Sequence, residues 1–146
     1  MLRFVTAAAL ALITLSSASA QNLDAIKARK DTLKGMGKAT EAPGAMMKGE
    51  APFDLAKVKA ALAAYQDGAA KLPDLFPDDS KTGGETEALP VIWEKKQDVI
   101  DRYKKLAADA KAATATITDE FSFQEEFPKV VGNCSACHKV YRKPKE

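Results

Sequence analysis

Apolar positions along this chain recur at helical spacing, and no stretch beyond residue 20 alternates convincingly as a strand would. Leu23, Ile26, Leu33 and Met36 form a first stripe, with Asn22 placed to cap it. Gly35 and Gly37 weaken that helix, and Pro43-Gly44 is expected to kink or interrupt it before Ala45-Met46-Met47-Lys48 adds one more turn. Asp54 is the cap of a second helix whose face is Leu55, Val58, Leu62 and Tyr65 and whose end falls near Leu72. Residues 73 to 89, with Pro73, Pro77, Asp78-Asp79-Ser80 and Gly83-Gly84, read as the longest irregular connection. A third helix starts at Pro90 or already near Thr86. It buries Val91, Ile92, Val99, Ile100, Tyr103, Leu106 and Ala110, then fades in the Ala/Thr-rich run from Ala112 to Thr118. A fourth is capped by Asp119 or Ser122 and carries Val130, Val131, Val140 and Tyr141. Pro128 implies either a start near Phe127 or a kink there. Helices joined by short loops and one long one predict an all-α fold, an antiparallel four-helix bundle.

Residues 1 to 20 change the picture at the N-terminus. Arg3 gives a positive start, Phe4 to Leu15 is mostly apolar, and Ala18-Ser19-Ala20 is a small-residue cleavage site. This is a secretory signal peptide, leaving a mature domain at 21–146 in the periplasm. The apolar run is too short to span a bilayer comfortably, so no membrane attachment is expected after cleavage. The formal charge is +2, from 22 Lys and Arg against 20 Asp and Glu. Such a balance gives no strong field for nucleic acid or membrane. The short cluster Arg142, Lys143 and Lys145 suits the end of a helix better than a polyanion.

The chemistry is concentrated in Cys134-Ser135-Ala136-Cys137-His138, which holds both cysteines and the single histidine of the chain. C-x-x-C-H is the attachment sequence of a c-type haem. Two thiols one helical turn apart can each form a thioether to one porphyrin, and the next residue can ligate the iron. A redox dithiol would want a βαβ context. A zinc site usually needs four ligands, and only three of the usual type are present. A disulfide across so small a loop would add little.

With the bundle, further segments extend the case: Arg29-Lys30-x-x-Leu33-x-x-Met36, Lys48-Gly49-Glu50-Ala51-x-Phe53-Asp54, Lys71-Leu72-Pro73-x-Leu75-Phe76-Pro77, Ser80-Lys81-Thr82-Gly83-Gly84, Leu89-Pro90-x-Ile92-Trp93, and Gly132-Asn133-Cys134 onward to Arg142. The mature chain resembles the cytochrome c′ family, the class II c-type cytochromes. The resemblance implies one haem c joined covalently to Cys134 and Cys137, with His138 as the proximal metal ligand. It places Arg142 beside the proximal face, and Arg29 and Lys30 near the haem edge, with Arg29 pairing to a propionate. Glu85 and Thr86 would lie in a loop closing over another part of the ring, and Trp93 would pack near it. The distal face would present Leu33, with Met36 one turn away. Leu33 has no donor atom, which implies a five-coordinate, high-spin iron suited to electron transfer, to NO or CO binding, or to both. The alternative is a six-coordinate, low-spin cytochrome with a methionine ligand, acting only in electron transfer. Peroxidase or NO-reductase activity is disfavoured, because the one histidine is committed and no distal acid/base group remains. A redox partner protein is expected, and homodimers are common in the family.

Overall fold

The computed structural model describes residues 22–144, so the signal-peptide reading and Lys145 lie outside the described residues. Five helices follow one another: α1 (Leu23–Met47), α2 (Leu55–Lys71), α3 (Val91–Glu94), α4 (Lys96–Thr116) and α5 (Glu120–Tyr141). Two 3-10 turns, Leu72–Leu75 and Asp78–Ser80, lie between α2 and α3. The four long helices form the bundle, and no strand occurs among the described residues.

Local chemistry sets the helix ends. The Asn22 side chain accepts from the Ala25 N–H at 2.9 Å, and that of Asp54 from the Lys57 N–H at 3.1 Å. Asp119 and Ser122 form a reciprocal capping box at the head of α5. After α1 the chain reverses at Gly49 (φ 72°), where the Glu50 N–H reaches the Ala45 carbonyl and the Gly49 N–H reaches that of Met46. This pair of bonds is a Schellman ending, which calls for a residue without a Cβ.

Three expectations from the sequence need correction. α1 runs unbroken through Pro43-Gly44. Pro43 is fully buried, and packing of its ring offsets the hydrogen bond it cannot make. α5 likewise begins at Glu120 and continues through Pro128. Pro128 is exposed, and so is Gln124, whose carbonyl it frees for water. The third helix is instead two, parted at Lys95 (φ −118°, ψ 41°). The single turn of α3 tucks Ile92 inward.

Neighbouring helices are antiparallel. Met36 and Thr40 of α1 meet Gly68 and Tyr65 of α2 in reverse order. Asp98 and Asp109 of α4 meet Tyr141 and Asn133 of α5 in the same reversed sense. The contacts of α1 with α2, α2 with α4 and α4 with α5 are extensive, whereas α1 and α5 make none comparable. One end of the bundle is filled by Phe53, Phe123, Phe127 and Tyr65, with ring centroids 5.1 to 6.3 Å apart. Towards the other end, α1 and α5 stand apart around a cavity.

Candidate haem site

The cavity has a volume of about 930 Å³, in the upper part of the range for cofactor pockets. Its walls come from all five helices, Phe76 and the loop at 86–88. Cys134, Cys137 and His138 line it together from one face of α5. Both cysteines are free, half-buried thiols. Burial pushes both thiols above the usual cysteine range. Ile92, Val99, Leu106 and Val131 make much of the remaining wall. Two thiols and an imidazole on one side of a large, mainly apolar space fit a covalently attached haem: a flat apolar ring to fill it, two thioethers and one nitrogen ligand.

Leu33 and Met36 both border the cavity from α1, but differently. Leu33 is exposed to it, at 37%. Met36 is buried at 8%, and its sulfur sits against α2, where a Cβ added to Gly68 would come within 2.4 Å of Sδ. The absent side chain of Gly68 is the seat of the Met36 thioether. Met46 is buried in the core, and neither Met46 nor Met47 borders the cavity.

Arg29 differs from the expectation of a propionate partner. It is 2% exposed, and its terminal donors are spent on the connection after α2. Nη1 donates to Ser80 Oγ at 2.8 Å and to the Leu75 carbonyl at 3.4 Å. Nη2 donates to the Ser80 carbonyl at 2.7 Å and to Thr86 Oγ1 at 2.6 Å. The guanidinium also lies over the rings of Phe76 and Trp93, 5.1 and 5.5 Å from their centroids. Burial lowers its pKa, yet it remains a cation. Arg29 borders the cavity while stapling residues 75–86 to α1.

Of the two loop residues, Thr86 is buried and lines the cavity, whereas Glu85 does not line it. The Glu85 side chain is 96% exposed and faces Lys30 at 3.6 Å. Its backbone takes φ 53°, following Gly83 and Gly84, which turns the carboxylate outward. Lys30 borders the cavity and donates to the Gly84 carbonyl at 3.1 Å. Arg142 also borders it, with Nε donating to Glu87 at 2.6 Å, and an isolated bridge joins Arg142 to Ala88. Trp93 stands behind the wall rather than in it: Nε1 donates to the Phe76 and Pro77 carbonyls, and the Phe76 ring lies 5.9 Å away.

Several wall residues escaped the sequence reading. Tyr65 and Tyr103 read only as members of apolar stripes, yet both line the cavity. Thr40 Oγ1 lies 2.7 Å from the Tyr65 hydroxyl and donates its one proton to the Met36 carbonyl at 2.9 Å. Tyr65 is therefore the donor between them, and burial pushes its phenol up to about 12. Only the helical register, not the residue type, could have signalled which stripe positions face the gap.

The bundle and its cysteine–histidine face define a c-type haem protein. The chain matches the family described as Cytochrome C′ over residues 24–142. It is 51% identical to cytochrome c′ of Rhodopseudomonas palustris across 99% of this chain and 98% of the relative. It is 30% identical to cytochrome c-556 of the same organism, across 97% of each. A solved structure of the R. palustris cytochrome c′ superposes with a TM-score of 0.83 at 53% identity, covering 84% of this chain and 98% of that one. The protein belongs to the cytochrome c′ family, and its cofactor is haem c.

Proposed function

We propose that this protein is an exported electron carrier and gas-binding haem protein with an open sixth position facing Leu33. The observation that carries this reading is the contrast between Leu33, a hydrocarbon at the cavity surface, and Met36, whose sulfur is lodged against Gly68. When bound, haem c would supply a one-electron Fe(III)/Fe(II) couple and an iron able to take up a small ligand. The chain's own groups do the rest. Cys134 and Cys137 hold the ring to α5, and His138 provides the nitrogen. Leu33 keeps water and anions from the opposite face and leaves room for a small neutral diatomic.

The wall beside α1 favours NO and CO over oxygen. The Tyr65 hydroxyl, a polar group in the wall beside α1, spends its proton on Thr40 and presents only lone pairs. Bound oxygen gains more from a distal hydrogen-bond donor than CO or NO does. The enzyme readings are disfavoured because the single histidine, the usual acid/base group, is taken up by the iron. Export is supported by the pattern of residues 1–20. No helix among the described residues is long and apolar enough to cross a membrane.

Absorption spectra of the ferric and ferrous protein, with and without CO, test the reading. High-spin bands and a clear shift with CO are expected. Low-spin bands that CO leaves unmoved would mean that a methionine has reached the iron, and would reduce the protein to an electron carrier alone.

A further inference from the structure

Tyr103 is a buried tyrosine of the cavity wall whose hydroxyl has no part in the proposed function. It projects from the middle of α4, is 8% exposed, and lines the cavity. Its ring is fixed by stacking on Phe76, with centroids 6.4 Å apart. Among the described residues no fully enclosed side-chain oxygen or nitrogen lacks a partner. The Tyr103 oxygen is paired with none of the described residues, so its remaining accessible surface opens on the cavity. A buried donor of this kind is ordinarily matched by an acceptor, and here that acceptor must come from whatever fills the cavity.

The surroundings specify which acceptor. The charged and titratable groups within electrostatic reach of the hydroxyl are Arg29 from α1, and Cys137 and Cys134 from α5. Burial holds the phenol far above the usual tyrosine range, so it is a donor at any ordinary pH. Arg29 brings positive potential to this region, yet its four terminal N–H groups are committed to Leu75, Ser80 and Thr86. Thr86 Oγ1 already accepts from Arg29 and from the Ala88 N–H. The periphery of haem c offers one kind of strong acceptor, its two propionate carboxylates.

We propose that Tyr103 is a haem-positioning residue whose hydroxyl donates a hydrogen bond to a propionate, in the field of the Arg29 guanidinium. The assignment rests on haem occupying this cavity and is independent of the coordination number of the iron. Arg29 then acts on the carboxylate chiefly through its charge, and Tyr103 supplies the directed bond that sets the rotation of the propionate. Such a bond withdraws negative charge from the ring edge and disfavours Fe(III) relative to Fe(II).

The test is Y103F in the holoprotein, which removes one oxygen and keeps the ring against Phe76. Resonance Raman spectra, midpoint potential and CO affinity are measured on parent and variant. The expected result is a shift of the propionate bending bands, a lower midpoint potential, loss of most of the D₂O sensitivity that the parent's propionate bands show, and an unchanged iron–CO stretch. Unchanged propionate bands and potential would overturn the proposal, leaving the carboxylates to Arg29, Thr86 or solvent. A changed CO stretch and affinity with unmoved propionate bands would also overturn it, by placing the hydroxyl beside the sixth position. Spin-state marker bands in the same spectra report separately on the open-site reading, so failure of one is not mistaken for failure of the other. D₂O sensitivity of the parent alone provides a second measurement should Y103F fold poorly, and its absence there would likewise sink the idea.

Discussion

At the scale of single residues, the site depends on which groups have spent their hydrogen bonds and their space. Arg29 has spent its terminal donors. Replacing it with Met would leave the Ser80 carbonyl without its buried donor, take one of two donors from Thr86 Oγ1, and loosen residues 75–86. Urea denaturation should show a loss of about 2–4 kcal/mol, and amide exchange should quicken first in that segment. Met36 has spent its space. In G68A a Cβ would collide with Sδ at 2.4 Å. The helix-propensity gain of about 1 kcal/mol then competes with an overpacking cost of about 1–3 kcal/mol. A net destabilisation of about 1 kcal/mol is expected in the same urea experiment. L33M makes the opposite change, putting a thioether where the cavity is open. A low-spin component in its ferric spectrum is the expected outcome, and an unaltered high-spin spectrum would show that position 33 cannot reach the iron.

At the scale of elements, α4 and α5 are joined by carboxylates whose ionised form the fold prefers. Asp98 accepts from Arg102 at 2.7 Å and from the Tyr141 hydroxyl. Asp109 accepts from Lys105 and, at 2.8 Å, from Asn133. Asp119 accepts from the Ser122 N–H at 2.8 Å. Hydrogen bonds to Arg102, to Lys105 and to the Ser122 backbone, respectively, are the chief causes that hold these carboxyls below the usual range. Depressed carboxylates contribute stability that is complete above their unfolded pKa, about 3.9, and is lost as pH falls through the folded value. The thermal midpoint should therefore drop with acidification below about pH 4. D98N should flatten part of that drop, which a melting series followed by circular dichroism would show. Helix boundaries were legible wherever one side chain decides them, as at Asn22, Asp54 and Asp119. They were misread at Pro43 and Pro128, because a proline's effect depends on whether packing or water compensates its lost bond.

For the whole molecule, the extensive contacts of α1 with α2, α2 with α4, and α4 with α5 leave α1 and α5 apart. Haem c is a structural part of such a bundle as well as its chemistry, since the apolar wall around 930 Å³ would otherwise face water. Acid–acetone treatment should leave haem on the parent protein and strip it from C134A/C137A. The stripped double variant should melt well below the parent and at lower cooperativity. Equal melting would mean that α1 and α5 collapse onto each other without the ring.

The sequence by itself determined the helical class, the caps, the haem attachment and the family, because periodicity, capping side chains and C-x-x-C-H are local patterns carrying local physics. Only the tertiary structure decided what faces the cavity. Leu33 and Met36 share a stripe, yet one is open and the other is held by a glycine on another helix. Arg29 and Glu85 belong to matching segments, yet the arginine is a buried staple and the carboxylate lies in solvent. Tyr103 looks like any core tyrosine until the cavity is seen to lack an acceptor for it. Such distinctions arise from long-range packing, in which each side chain's role is set by the donors, acceptors and gaps that distant segments bring to it.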